Sequence, residues 1–355
     1  MELARTLSLM INTECGMQCP HCDLPVKYNN NSKQLDEKQW QSILENILPA
    51  IKPEVVAIAA REPLYNSASR KNTKTIIEVS KKHNIRTGFV TNGMKLEKFY
   101  NEVGPQFQTD FMDISIDGTQ EVDSAIRGVD HFGIVEQFLQ SGIYKKHVET
   151  LFISTVLTSF NSNLPQLKSF QSWLENILEK PNLALLLLYP NHNVSPELSL
   201  KADDIKRVID YTVSVSPKFD NIFLEVFPGS VPNLLELVED GILPGSGNVI
   251  RDNAGMLCGH IAENLFIRYL TPVDLIQYHM RISPEGLILS PEGFESPEYG
   301  NGNFGDIKLD SLQDILKTTN KQVENRLVVM GECIDKPCYE VCGAGNVRCS
   351  VYKKR

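Results

Sequence analysis

Cysteine carries most of the chemistry this chain displays, and its eight copies are not scattered. Three lie at 15, 19 and 22 in "CGMQCPHC", one stands at 258, and four lie at 333, 338, 342 and 349. In a reducing compartment, clustered thiols serve as metal or redox ligands rather than as disulfides. The spacing therefore predicts a metal site toward each end of the chain. Cys15, Cys19 and Cys22 can hold three irons of a [4Fe-4S] cube and leave the fourth iron open, because four thiolates are the usual full set. A structural zinc ion is the competing occupant, but it closes its shell with four ligands, and the nearest fourth is His21, held between two of the cysteines. Cys333, Cys338, Cys342 and Cys349 form a complete set by themselves. They suffice for one closed iron-sulfur cluster and equally for one closed zinc site.

These residues need a scaffold, and the first half of the chain supplies a repeating strand-then-helix rhythm. Strands are expected at Thr6 to Asn12, Val55 to Ala60, Arg86 to Gly93, Phe111 to Asp117, Leu151 to Leu157 and Leu183 to Tyr189. Helical spacing falls between them in "LDEKQWQSILENIL", with Asp36 near its start, in "TKTIIEVSKKH", and around Ile134 to Ser141 and Leu164 to Leu178. Six strands with helical crossovers predict an α/β fold, a parallel sheet or a partial (β/α)6 TIM-type barrel. Such folds place ligands beyond the carboxyl ends of their strands, which is where the Cys15 loop leaves the first strand.

After about residue 200 the rhythm breaks. A helix from Ala202 to Val213 and a strand in "NIFLEVF" precede "GILPGSGNVIRDNAG", read as a loop near a domain boundary. "MRISPEGLILSPEGF" reads as a hairpin, and "SLQDILKTT" as a short helix capped by Asp310 or Ser311. The expected organisation is a barrel core over 1–200, an extension and linker over 201–255, and a small metal-binding domain over 256–355. Trp40 and Trp173 lie on helical patterns and are expected in the core.

With 42% apolar and 22% charged residues, composition is that of an ordinary globular protein. The longest apolar run, "LALLLLY", is far short of the ~18 residues a bilayer span needs, and the first residues lack the form of a signal peptide, so a cytoplasmic protein is expected. A net charge of -9 argues against nucleic-acid or anionic-membrane partners, which need a positive patch.

The C-x3-C-x2-C at the end of the first of six strands resembles the radical S-adenosylmethionine (radical SAM) superfamily, and His21 stands where that family places an aromatic residue beside the adenine. Three further segments share the resemblance, which covers about residues 5 to 190. "AAREPLY" is similar to the family's Gly-Gly-Glu-Pro segment at the methionine amino group, with Ala60 and Arg61 replacing the glycines and Glu62 and Pro63 kept. "VTNG" supplies Asn92 and Gly93. "ISIDGTQEVDSAIRG" places Ser115 and Asp117 at a strand tip, facing ribose or substrate by resemblance, and Arg127 toward a carboxylate of cofactor or substrate. The late cysteines with "RISPEGLILSPEG" and "NGNFGDIKLDSLQDIL" resemble the SPASM/twitch extension. Pro291 stands where that extension has a cysteine, so one auxiliary [4Fe-4S] cluster is implied rather than two.

The resemblance implies reductive cleavage of S-adenosylmethionine, with an electron from flavodoxin or ferredoxin, and removal of a hydrogen atom from a substrate C–H bond. The implied substrate is a ribosomally made peptide undergoing crosslinking, oxidation or epimerisation. A sugar, aminocyclitol or other small metabolite of natural-product biosynthesis is the alternative; the chain opens directly on the first barrel strand, with no preceding leader-binding domain expected. Cys258, in "GMLCGHI", has three readings: a buried core thiol, a ligand replacing one of the late four, or a thiol returning a hydrogen atom to the substrate. His192, Glu225 and Asp252 are further candidates for contact with substrate or for a base. A non-catalytic iron-sulfur or zinc protein is the reading of a different class.

Overall fold

Strand pairing, rather than strand position, decides where the site lies. The computed structural model describes residues 4–22, 34–127, 131–188, 194–227, 231, 233–289, 303–330 and 335–339. In chain order the elements are β1 (Thr6–Leu9), α1 (Glu37–Ile51), β2 (Val55–Ile58), α2 (Ser67–Lys82), β3 (Arg86–Thr91), α3 (Leu96–Val103), β4 (Thr109–Ser115), α4 (Gln120–Arg127), α5 (Phe132–Ser141), β5 (Val148–Leu157), α6 (Leu164–Ile177), β6 (Asn182–Leu187), α7 (Ala202–Val215), β7 (Asn221–Val226), α8 (Leu234–Glu239), β8 (Ile250–Arg251), β9 (Leu257–Ala262), β10 (Leu265–Tyr269), α9 (Pro272–Gln277), β11 (His279–Ile282), β12 (Leu287–Leu289), β13 (Asn303–Asp306) and α10 (Leu312–Met330). One sheet takes all the strands, in the order β13-β12-β11-β1-β2-β3-β4-β5-β6-β7-β10-β9-β8. Every pairing from β11 through β1 to β7 and on to β10 is parallel, and antiparallel strands finish both edges. The sheet curls into a half-barrel, as the α/β reading expected.

Side chains along a strand point alternately to the two faces, and here that alternation sorts core from cavity. In β2, β7 and β10 buried and half-buried positions alternate without a break. The buried set, including Val56, Ile58, Leu224, Val226 and Ile267, forms one core with Trp40, Leu44 and Leu48 of α1 and Ile205 and Val208 of α7. Each such side chain contributes about 1.5–3 kcal/mol through burial. Trp40 is fully buried as expected; Trp173 packs half-buried against the same core. The other set lines the inner face of the curl.

The helices start where their caps dictate. In α1, Asp36 accepts from the backbone N–H of Gln39 at 2.9 Å while the Gln39 side chain accepts from that of Asp36 at 3.0 Å, a capping box worth about 1 kcal/mol. Asn66 and Ser69 make the same exchange in α2. Ser311 caps α10 by accepting from Asp314 N; Asp310 instead accepts from Asp306 N at 2.7 Å. That helix is 19 residues long, not the short piece its first turns suggested.

The break expected after residue 200 is partial. β7 and β10 carry the parallel sheet onward, the loop at 241–255 contains β8, and the hairpin is β11 with β12, its first strand pairing in parallel with β1. No helix among the described residues is long and apolar enough to cross a membrane. His192, Pro291, Cys333, Cys342 and Cys349 lie outside the described residues.

Candidate functional site

The carboxyl ends of β1 to β4 converge on the Cys15 loop. Asn12, just past β1, donates from Nδ2 to the Glu62 carbonyl at 2.6 Å, and its Oδ1 accepts from Glu14 N at 2.9 Å. The backbone N–H of Glu62 donates to the Glu14 carbonyl at 3.2 Å, so the cysteine loop is tied directly to the turn after β2. Gly16 sits at φ +76° with the Tyr65 ring so near that a Cβ would lie 2.8 Å from it, which leaves glycine as the residue that fits there.

Glu62 is the hub of the β2 turn. It is 3% exposed, and its carboxylate accepts from Leu64 N at 2.9 Å, Thr91 Oγ1 at 2.8 Å and Asn92 N at 2.7 Å. Burial pushes its pKa up to about 7, although those three donors pull the other way. Through Thr91 and Asn92 it fixes the end of β3, where Asn92 Nδ2 reaches within 3.9 Å of the Cys15 sulfur. Ala60, standing where the resembled motif has glycine, holds φ at +87°, the left-handed region that favours glycine.

A second buried cluster closes the site from β4. Asp117 is fully buried: its Oδ1 accepts from Val156 N at 2.9 Å, and Arg127 Nη2 lies 2.9 Å from its Oδ2. Asp123 accepts from Asp117 N at 2.8 Å and stands 2.5 Å from His131 Nδ1, whose other ring nitrogen faces the Ser115 carbonyl at 3.2 Å. Burial works against the charge of Arg127, but Asp117, Cys19 and Asp123 outweigh it and hold the guanidinium firmly protonated. His21 Nε2 lies 3.7 Å from Asp117. The half-buried Ser115 pairs in register with Ser154 of β5. Asp123 and His131 were not apparent from the sequence; the i,i+4 spacing of Asp123 and Arg127 on α4 is the signal that points to them.

The structure thus brings together Cys15, Cys19, Cys22, His21, Glu62, Asn92, Ser115, Asp117 and Arg127. Burial, opposed by Arg127 and aided by Asp117 and the other two thiols, pushes Cys19 up to about 12, and burial also raises Cys15. Any metal group taking these sulfurs must displace their protons. Among the described residues no three His, Cys, Asp or Glu side chains converge on a point one ion can occupy. Three thiols on one loop could hold three irons of a four-iron group and leave one iron for another ligand.

Cys258 lies on β9, opposite Arg268 of β10, and its thiol donates to Asp252 Oδ2 at 3.5 Å. Burial, then Asp252, pushes it up to about 11. The buried Cys338 instead acts on Tyr269, the next residue of β10 and therefore on the opposite face, and the adjoining Pro337 carbonyl accepts from Ser246 N at 2.7 Å. Glu225 accepts from Arg268 Nη1 at 3.0 Å on the same inner face as Cys258.

No protein-family model matches the sequence, and no curated protein matches it either. Solved structures do match the fold. An anSMEcpe structure with bound AdoMet superposes with a TM-score of 0.65 at 18% identity, over 98% of this chain and 87% of that one. SuiB of Streptococcus suis bound to precursor peptide SuiA gives a TM-score of 0.65 at 13% identity, over 97% of this chain and 72% of that one. Native anSMEcpe with AdoMet and the Cp18Cys peptide gives 0.64 at 18% identity, over 98% and 90%.

Proposed function

From a chain with the fold of radical SAM enzymes that carry a SPASM-type region, we propose an enzyme that cleaves S-adenosylmethionine reductively and takes a hydrogen atom from a peptide C–H bond. The observation that carries this reading is the meeting of the three-cysteine loop with the Glu62 and Asp117–Arg127 clusters at the carboxyl ends of one half-barrel. Cys15, Cys19 and Cys22 would hold a [4Fe-4S] cluster with one iron left for S-adenosylmethionine. Such a cluster would supply reductive cleavage: one electron from a donor such as flavodoxin or ferredoxin would break the cofactor's C–S bond to give methionine and a 5'-deoxyadenosyl radical.

The chain's own residues orient and enclose. Glu62 fixes the turn at 59–64 whose backbone meets the methionine amino group, Asn92 steadies Cys15, and Arg127 presents its charge beside Cys19, where the cofactor carboxylate arrives. His21 flanks the adenine and Ser115 the ribose. Asp117, its carboxylate committed to Arg127 and Val156 N, holds Arg127 in place. Cys333, Cys338, Cys342 and Cys349 would close one auxiliary [4Fe-4S] cluster. A peptide substrate is supported by the similar structures that hold SuiA and the Cp18Cys peptide. Cys258, a protonated thiol on the inner face, is suited to give a hydrogen atom to the substrate radical, leaving a thiyl radical that one electron from the same external donor and one proton from solvent would reset, which favours epimerisation among the possible outcomes.

Anaerobic purification followed by iron and sulfide counting, then dithionite with S-adenosylmethionine, tests the proposal. About eight irons per chain and release of 5'-deoxyadenosine are expected, since two cubes carry four irons each. Alanine at Cys15, Cys19 or Cys22 should abolish the release. Normal cleavage by any of these variants overturns the assignment, and bound zinc with about four irons overturns the auxiliary cluster alone.

A further inference from the structure

The inner wall of the half-barrel carries charge that the proposed reaction does not use. Strand register and side-chain alternation put Asp113 (β4), Ser154 (β5), Glu225 (β7), Arg268 (β10) and Cys258 (β9) on one face. On β2 and β3 the same parity carries Val55, Ala57, Gly88 and Val90, with the exposed Arg86 at the start of β3 lying over the Phe111 ring. From β2 to β10, apart from Arg86, the charge of this face lies on β4 and beyond.

Arg268 is committed within the protein. Its Nη1 donates to Glu225, its guanidinium lies 4.3 Å above the Phe223 ring, and its Nε is 3.9 Å from Asp252, the acceptor of the Cys258 thiol. Asp113 differs. The Ser154 hydroxyl bonds to its carboxyl group, yet Oδ1 is sealed from solvent and has no hydrogen-bond partner among the described residues. Burial and then the Glu225 charge push its pKa up to about 7, although Ser154 and Arg127 oppose them. Leaving a buried acceptor unmatched costs roughly 1–3 kcal/mol, so such a group points to a donor that arrives from outside.

The remaining charges give the sign of that donor. Arg281 lies on the inward parity of β11 beside His279, whose pKa burial and Arg281 push down to about 4, leaving it neutral. Arg127 is held by Asp117 and Asp123. Asp113 and Glu225 are thus two carboxyl groups with one cation, Arg268, in an ion pair with either of them among the described residues. A guest bringing positive charge and several N–H donors answers both the excess charge and the unmatched oxygen, and an ammonium group has three donors on one compact charge.

We propose that Asp113 and Glu225 recognise a primary ammonium group of the substrate, of the kind a lysine side chain or an amino sugar carries. The inference rests on the radical SAM reading only in taking the inner face of the half-barrel as the place where substrate binds. The test is calorimetric titration of the full chain, purified without oxygen and with S-adenosylmethionine present. One pair of probes is Nα-acetyl-lysine amide against its Nε-acetylated form, and a second is glucosamine against N-acetylglucosamine. In at least one pair the charged member should bind about tenfold or more tightly than its acetylated partner, a difference of about 1.4 kcal/mol. The pair that discriminates identifies the source. Asp113→Asn and Glu225→Gln should each remove that discrimination in variants whose circular dichroism matches the wild type.

Equal binding of the charged and acetylated members overturns the proposal, as does absence of binding by either charged probe or discrimination that survives both variants. The two readings fail separately. Cofactor cleavage without discrimination sinks the ammonium site alone, and discrimination without cleavage sinks the radical chemistry while leaving the site.

Discussion

Replacing Glu62 by glutamine should make the protein more stable relative to wild type as the pH rises. The pKa of this carboxyl moves from 4.5 to about 7 because it is buried, a shift worth about 3 kcal/mol at ~1.4 kcal/mol per unit. A carboxyl raised in the fold binds its proton more tightly folded than unfolded. Wild type therefore keeps its full stability below pH 4.5 and loses about 3 kcal/mol as the pH climbs through 7. Glutamine has the same shape and no proton to lose, so that slope vanishes in the variant. Urea unfolding of the metal-free, reduced proteins from about pH 5 to pH 8 reads the difference between the two curves. Contributions common to both proteins, the raised Asp113 included, cancel. Parallel curves would refute the reasoning. So would a wild type that gains on the variant with rising pH, because the three donors from Leu64, Thr91 and Asn92 would then outweigh burial.

Four other substitutions test separate parts of the structure. Ala60→Gly relieves a φ of +87° that costs an ordinary residue about 1–2 kcal/mol; after roughly 0.5–1 kcal/mol of added unfolded-chain entropy, a net gain of about 0.5–1 kcal/mol should appear in urea unfolding. Asp123→Asn leaves Arg127 and His131 facing an amide, and breaking such a buried pair should cost about 3–5 kcal/mol and weaken S-adenosylmethionine binding in a calorimetric titration. Gly88→Ala would set a Cβ 2.1 Å from the Phe111 carbonyl oxygen, so β3 and β4 must part at a cost of at least about 1–3 kcal/mol; an unchanged melting temperature would contradict that packing. Cys258→Ala should change product configuration or stop turnover, as read by chiral analysis of the product, and unchanged configuration and rate would exclude the hydrogen-donor role.

The parts of the fold that depend on local pattern were legible in the sequence. The strands from β1 to β6 show as alternation or apolar runs, and α1 shows as a 3.6-residue stripe with Asp36 at its cap. The eight-residue helices α3 and α4 are too short to display a period, and β8 has two residues. The site was legible in its ligands and less so in its supports. Cysteine spacing marks Cys15, Cys19 and Cys22 without any fold, whereas Asp123 and His131 look like ordinary surface residues of a polar segment until α4 and the start of α5 fold over the tip of β4.

By itself, the sequence determined the thiol-rich loop after the first strand and the parallel α/β class, because each is set by residues close together in the chain. Tertiary structure alone decided that β7, β10 and β11 extend the sheet, and that Asp113, Glu225, Arg268 and Cys258 share one wall. Those facts depend on register between strands far apart in the chain, and a shift of one residue would turn each of these side chains to the other face.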